Sequence, residues 1–101
     1  MAAHGHRQER LADLIRSEVA DMIAGELHDP RIGFATVMRV ELSADLHHAR
    51  VLVSVLGNEE EQQKTLAGLS SAARYVRRAI GQRLRLRRAP DLIFVLDRGV
   101  E

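Results

Sequence analysis

The chain has 101 residues, 46% of them hydrophobic and 29% charged, which is the composition of one globular domain and not of a disordered segment. Cysteine is absent, which excludes disulfides, thiolate metal sites and cysteine nucleophiles, and the three aromatic residues are too few for base stacking to be the main means of binding. The net charge is +1 and no apolar run is long enough to cross a membrane, so we expect a soluble cytoplasmic protein without membrane contact.

The first predicted element is an amphipathic helix from about Arg7 to Leu27, with residues 1–6 frayed. Pro30 cannot continue this helix and disfavours helical angles at Asp29, so we expect the helix to end near His28. Its buried face is indicated by apolar residues spaced three or four apart, namely Leu11, Leu14, Ile15, Val19, Met22, Ile23 and Leu27.

Two half-buried strands are predicted after this helix. In the first, Phe34 to Leu42, strict alternation places Val37 and Val40 on opposite faces of the sheet. The second, Ala49 to Leu56, alternates in the same way. The segment "SADLHH" between them is rich in turn-forming residues, so the two strands are expected to form an antiparallel pair.

A second amphipathic helix is predicted after "GNEEEQQK", whose glutamates suit the positive end of a helix dipole. Its spacing places Arg74 and Arg78 on the face opposite the apolar stripe. Gly68 and Gly81 each weaken a regular helix, so a kink or break is expected within residues 68–82. The apolar stripe consists of Leu66, Leu69, Ala73, Val76 and Ile80.

The last predicted element is a short buried strand in "DLIFVLD", where five consecutive apolar residues stand between two aspartates. Residues 98–101 are expected to form a short tail. The order is therefore helix, strand, strand, helix with a break, and strand, and residues 1–101 are expected to form a single domain.

No residue pattern indicates catalysis or ligand chemistry. Serine nowhere lies in a nucleophile elbow, and Asp29, Asp45 and Asp97 follow no recognised catalytic spacing. His47 and His48 would point to opposite faces of a strand, and the histidines form no cluster with the spacing of metal ligands. We therefore expect no enzyme activity, no cofactor and no metal site.

The segment "YVRRAIGQRLRLRRAP", residues 75–90, contains six arginines and no acidic residue. Between Glu61 and Asp91 the chain has eight basic residues and no acidic one, although it has 14 acidic residues in all. Exposed helices usually mix charges of both signs, so this crowding suggests an anionic partner. Arginine suits bidentate contact with phosphate, which favours nucleic acid over an acidic protein or a solvated surface.

Three motifs, in order along the chain, resemble the bacterial ribosome-binding factor A family. They are "LHDPRIG" at the end of the first helix, "VELSADLHHARVLVSVLG" across the strand pair, and "YVRRAIGQRLRLRRAPDLIFVLD" near the C-terminus. The resemblance extends from about Arg7 to Asp97. It implies an α+β fold of the KH-like type II class, ordered α-β-β-α-(kink)-α-β, with a three-stranded sheet and helices packed on one face.

The resemblance also implies a function. Members of the family bind the small (30S) ribosomal subunit and its precursors and assist late maturation of 16S rRNA, especially in the cold and without catalysis. An assembly GTPase is implied as a partner in release, and a monomer is the implied state. The alternative left open by the residues alone is a basic protein-interaction module that docks an acidic protein partner.

One position departs from the family pattern. KH domains usually hold nucleic acid at a GxxG loop, and this family has an Ala-x-Gly kink in its place. Alignment puts the kink at Ala72, Ala73 and Arg74, so an arginine occupies the glycine position, while the literal Ala79 to Gly81 lies out of register. The sequence also ends at Glu101 without the charged C-terminal tail that many members have.

Ten arginines are the candidate RNA-contact residues. A second-tier group could extend the same surface from the N-terminus and from the corner at Pro30, and consists of Arg7, Arg10 and Arg31. The leading group consists of Arg74, Arg77, Arg78, Arg83, Arg85, Arg87 and Arg88.

Overall fold

The structure is a computed structural model that describes the backbone of residues 2–99 and the side chains of residues 7–99. The predicted order and the α+β class are confirmed. The first helix begins at Ala2, so residues 2–6 have helical backbone, whereas Met1 of the predicted frayed segment and residues 100–101 of the predicted tail lie outside the described residues. The elements are α1 (Ala2–Gly25), β1 (Ala35–Leu42), β2 (His48–Val55), α2 (Glu59–Ser71), α3 (Ala73–Arg83) and β3 (Asp91–Leu96).

The three strands form one sheet in the order β1-β2-β3. β1 pairs with β2 in the antiparallel direction, as predicted, and β3 pairs with β2 in the parallel direction. One end of the sheet therefore carries the start of β1 beside the ends of β2 and β3. The other end carries the β1–β2 turn, where the Asp91 N–H donates to the His47 carbonyl at 2.8 Å.

A β-bulge in β1 corrects the predicted alternation. The register shifts between Val37 and Arg39, so Met38 is an extra residue that has no partner on β2. Val37 and Val40 are consequently both buried in the core, although alternation had placed them on opposite faces. The prediction was wrong at this point because one inserted residue reverses the face of every residue after it.

β3, predicted to be a short buried strand, is buried on one face only. Leu92 and Phe94 lie in the core, whereas Ile93 is 53% exposed. The reason is that the helices cover only one face of the sheet, where residues of all three helices join the inward residues of the strands in a single core. The run of apolar letters in the sequence does not reveal that the other face is open.

The predicted break in the second helix is confirmed and lies at Ala72. The Ala72 N–H is shared between the Gly68 and Leu69 carbonyls at 3.2 and 3.0 Å, and α3 starts at the next residue. The break falls where the family alignment had placed it. Val76 and Ile80 of α3 lie in the core, whereas Arg74 and Arg78 of α3 are exposed.

The corner between α1 and β1 docks onto α2 through Thr65, which is 1% exposed. The Gly33 N–H donates to Thr65 Oγ1 at 3.0 Å, and that hydroxyl donates to the Arg31 carbonyl at 3.4 Å. One turn further along, a Cβ atom on Gly68 would lie 2.7 Å from Cγ1 of Ile32. The Thr65 hydroxyl therefore binds this corner to α2, and the absence of a side chain at Gly68 allows the close approach of Ile32.

We expect Thr65→Val to destabilise the fold by about 0.5–1.5 kcal/mol, because the Gly33 N–H and the Arg31 carbonyl lose the buried hydroxyl that bridges them. Thr65→Ser keeps the hydroxyl and is expected to cost clearly less. Urea unfolding followed by circular dichroism gives both free energies of unfolding. Equal losses for valine and serine would show that the methyl group, and not the hydrogen bond, is what Thr65 contributes.

Candidate nucleic-acid interface

A groove of about 810 Å³ lies between α3 and the segment that follows it. The chain leaves α3 at Arg83 and returns along that helix before entering β3, so the two walls are α3 itself and residues 86–92. The residues that line the groove are Ala73, Arg74, Arg77, Arg78, Gly81, Gln82, Leu86, Arg87, Arg88, Ala89, Asp91 and Leu92.

Four arginines of the groove are exposed and have no ionic partner among the described side chains. Arg74 and Arg78 stand one helical turn apart on α3, and Arg87 and Arg88 belong to the opposite wall. None of the four guanidinium groups forms an ion pair or a hydrogen bond with residues 7–99. We call these four residues the groove arginines. Both walls therefore present guanidinium groups that are free to bind an anion.

Arg77 joins the two walls of the groove. Its Nε donates to the Ala89 carbonyl at 3.1 Å and lies 3.3 Å from Oδ1 of Asp91. Gly81, one turn further along α3, brings the helix close to the same segment, since a Cβ there would lie 3.4 Å from Cβ of Ala89. Asp91 was not a candidate from the sequence, and among the lining residues it is the single acidic one.

Arg83 lies outside the groove and is bound to α1. Its guanidinium is 2.9 Å from a carboxylate oxygen of Glu26 and 3.6 Å from one of Glu18, and the Tyr75 hydroxyl donates to Glu26 at 2.9 Å. The hydrogen bonds from Arg83 and Tyr75 lower the pKa of Glu26 below its usual value. A phosphate would have to displace these carboxylates before it could bind Arg83.

Arg31 is likewise engaged within the protein. Its guanidinium pairs with Asp29 and donates to Oγ of Ser71 at 3.0 Å. Hydrogen bonds from the Arg31 side chain and backbone lower the pKa of Asp29 to about 2. This arrangement holds the corner after α1 against the end of α2, and Arg31 does not line the groove.

Arg7 and Arg10 lie near the start of α1, on exposed positions outside the groove. Gln8, between them, donates through Nε2 to the Ser43 carbonyl in the β1–β2 turn at 3.2 Å. This hydrogen bond places the start of α1, with Arg7 and Arg10, at the end of the sheet where β3 also begins. This is the end that adjoins the groove, because Asp91 both starts β3 and lines the groove.

Arg85 stands in the left-handed backbone region, with φ at 55°. It follows the C-terminus of α3, where the Leu86 N–H donates to the Gly81 carbonyl at 2.9 Å and the Arg85 N–H donates to the Gln82 carbonyl at 3.3 Å. This is the Schellman pattern, in which glycine is the usual residue at the left-handed position. Arg85 is exposed and does not line the groove.

We expect Arg85→Gly to stabilise the protein by about 1 kcal/mol, because glycine adopts the left-handed conformation without the steric cost of a Cβ atom. Arg85→Ala removes the same charge but keeps the Cβ atom, and it is expected to bring no gain. Thermal unfolding of both variants measures the difference. A gain in Tm for alanine equal to that for glycine would attribute the effect to charge crowding instead of backbone strain.

No helix among residues 2–99 is long and apolar enough to cross a membrane. Within the described part of the chain, no three residues of the His, Cys, Asp or Glu type are grouped so that they could hold a metal ion. His47 instead lies 3.5 Å from a carboxylate oxygen of Asp45 in the β1–β2 turn.

Comparison with known proteins gives one consistent result. The sequence model of the family described as ribosome-binding factor A matches residues 7–101. Ribosome-binding factor A of Desulforamulus reducens is 47% identical over 96 residues, which are 95% of this chain and 80% of that protein.

Solved structures agree with the sequence comparison. The crystal structure of ribosome-binding factor A from Thermus thermophilus superposes with a TM-score of 0.78 at 34% identity, covering 91% of this chain and 98% of that one. A homology model of the Thermus thermophilus protein, fitted into the cryo-EM map of its complex with the 30S subunit, superposes with a TM-score of 0.73 at 34% identity, covering 89% and 94%.

Proposed function

This chain belongs to the ribosome-binding factor A family, and we propose that it binds the small (30S) ribosomal subunit and its precursors and assists late maturation of 16S rRNA without catalysis. The observation that carries the proposal is the pair of arginine-bearing walls that enclose the groove. A related protein in the 30S complex has the same fold, which supports the choice of the small subunit as partner.

The groove suits the phosphate backbone of RNA better than its bases. No described residue that lines it is aromatic, so the device that single-strand readers use to stack bases is missing from its walls. Guanidinium groups on two facing walls can instead contact successive phosphates of one strand, each through two parallel hydrogen bonds. Binding of this kind positions the RNA and carries little sequence information.

Stabilising one RNA conformation is sufficient for a non-catalytic assembly factor. A protein that binds one of two RNA conformations more tightly shifts their equilibrium by the ratio of its affinities. Such a shift matters most in the cold, where misfolded RNA helices rearrange slowly. Release then requires a change in the particle that removes the favoured conformation, and we assign that step to an assembly GTPase acting on a cytoplasmic, monomeric factor.

The test is co-sedimentation of the purified protein with mature and immature small subunits at two salt concentrations. Phosphate contacts release counterions, so we expect binding that weakens steeply with salt and is stronger for immature particles. Absence of binding to either particle at low salt would overturn the proposal. In that case an acidic protein partner for the arginines, captured without RNA, becomes the better account.

A further inference from the structure

We propose that Tyr75 is a stacking platform for one unpaired base of the RNA whose phosphates the groove arginines bind. The proposal rests on the proposed function and adds a contact with a base to it. Its own basis is separate, because Tyr75 does not line the groove and is 52% exposed beside it. An exposed aromatic ring is the feature on which proteins stack unpaired bases, and it accepts any base because every base has a π face.

Tyr75 extends a row of groove residues along the surface of α3. Residues three and seven positions apart lie on the same side of a helix, so Tyr75, Arg78 and Gln82 form one row. Arg78 and Gln82 line the groove, and Tyr75 continues the row beyond the edge of the groove. The Cβ atoms of residues three apart are separated by about 5–6 Å, which is comparable to the span from phosphate to base in one nucleotide. A phosphate bound to Arg78 therefore brings a base within reach of the Tyr75 ring.

The ring is held in place by its hydroxyl group. The Tyr75 O–H donates to Oε1 of Glu26 at 2.9 Å, and the Arg83 guanidinium donates to the same oxygen at 2.9 Å. Because the hydroxyl is a small part of the side chain and is already bonded, most of the exposed area belongs to the ring. A ring that is fixed before binding loses little conformational freedom when a base stacks on it.

The charges around Tyr75 direct the phosphate to one side of the ring. On the side of α1, the carboxylates of Glu18 and Glu26 both lie within 3.6 Å of Arg83, and two carboxylates with one guanidinium leave a net negative charge. On the other side, Arg78 has no ionic partner among residues 7–99. The hydrogen bond to Glu26 raises the pKa of Tyr75 above its usual value, so the phenol stays protonated and adds no negative charge. The phosphate of a bound nucleotide is therefore drawn toward Arg78, and the uncharged base is left to cover the ring.

The other two aromatic residues of the chain are not placed for this contact. Phe94 is 5% exposed and belongs to the core. Phe34 is 82% exposed but directly precedes β1, at the end of the sheet opposite the one that adjoins the groove. Tyr75 is therefore the one aromatic ring that the described structure places beside the groove arginines.

The test compares Tyr75→Leu and Tyr75→Phe with the wild type in binding to a short oligoadenylate, to an abasic oligomer of the same length, and to immature small subunits. Leucine keeps an apolar contact but removes the π face, so we expect about a tenfold loss of affinity for oligoadenylate and for particles. Phenylalanine keeps the ring, so its affinity should stay within about threefold of the wild-type value. All three proteins should bind the abasic oligomer alike, because it has no base to stack.

Phe34→Leu is the matched control, because it makes the same replacement at an exposed aromatic residue away from the groove, and it should leave every affinity unchanged. Thermal unfolding of each variant gives the folded fraction to which its affinity is referred. Equal affinities of the wild type and Tyr75→Leu for oligoadenylate or for particles would overturn the proposal. An equal loss on the abasic oligomer would do so too, because it would mean that Tyr75 only holds α3 against α1.

Tyrosine fluorescence tests the stacking in the wild-type protein. The chain has one tyrosine and no tryptophan, so its emission reports on Tyr75 alone. We expect strong quenching by oligoadenylate and much weaker quenching by the abasic oligomer, because a stacked base quenches the ring. Equal quenching by the two would contradict the proposal even if no variant at position 75 folds. Failure of the wild-type protein to bind small subunits, with quenching by oligoadenylate intact, would instead count against the proposed function.

Discussion

Replacing the groove arginines together, in the variant Arg74→Ser/Arg78→Ser/Arg87→Ser/Arg88→Ser, is expected to weaken binding to immature small subunits roughly 100- to 1,000-fold. Each exposed guanidinium-to-phosphate contact contributes about 1 kcal/mol, and every 1.4 kcal/mol is a factor of ten in affinity. The free energy of unfolding should change little, because the four side chains are exposed and have no ionic partners among residues 7–99.

The salt dependence of binding gives the sharper readout of this variant. Each phosphate contact contributes about 0.7 to the slope of log affinity against log salt for a single strand, so the loss of four contacts should lower the slope by about 3. Particle binding measured at four or five salt concentrations provides the slope. A large loss of affinity with an unchanged slope would mean that the groove arginines do not contact phosphate.

A charge-matched control separates the contribution of the groove arginines to binding from the contribution of the protein's net charge. Four of the arginines outside the groove serve for this control, and three of them are ion-paired with Glu41, Asp97 or Glu59. Replacing all four by serine removes the same formal charge and should leave most of the slope in place. The control residues are Arg16, Arg39, Arg50 and Arg98. Equal slopes in the two variants would indicate binding by overall charge and not by the groove.

The sequence was informative about the elements and less so about the site. Periodicity predicted both amphipathic helices and the strand pair, and the family alignment predicted the break at Ala72. The bulge at Met38 was not predictable, because one extra residue leaves no signal in an alternating apolar run. The apolar run of β3 did not indicate that Ile93 is exposed, because such a run does not show whether one or both faces of its strand are covered, and only the family resemblance implied helices on one face.

The arginines show the same limit of sequence reasoning. Arg83 and Arg87 look equivalent in the sequence, since both belong to a basic run without acids. What separates them is that Glu18 and Glu26, more than 50 residues earlier, are brought to Arg83 by the packing of α1 against α3. The charge count therefore identified the segment, and only the tertiary structure sorted its members into groove walls and internal ion pairs.

The second large effect is expected at Val76, which is fully buried in the core. Val76→Asp places a carboxyl group where no partner is available, and an unpaired buried charge costs several kcal/mol, which approaches the whole stability of about 5–15 kcal/mol typical of a domain. Arg78→Asp is the matched control, because it introduces the same side chain two residues along α3 on the exposed face. We expect the first variant to be unfolded or nearly so at pH 7, and the second to remain folded.

The pH dependence of Val76→Asp identifies the cause of its instability. Burial would raise the pKa of the new carboxyl above its unfolded value of about 3.9. Because the folded state then binds the proton more tightly than the unfolded state, folding is favoured below that unfolded value and lost as the pH rises through the folded one. Circular dichroism from pH 7 down to pH 4 should therefore show partial recovery of structure. Val76→Asn, which cannot ionise, should show no such recovery, and equal behaviour of the two variants would attribute the damage to altered packing instead of charge.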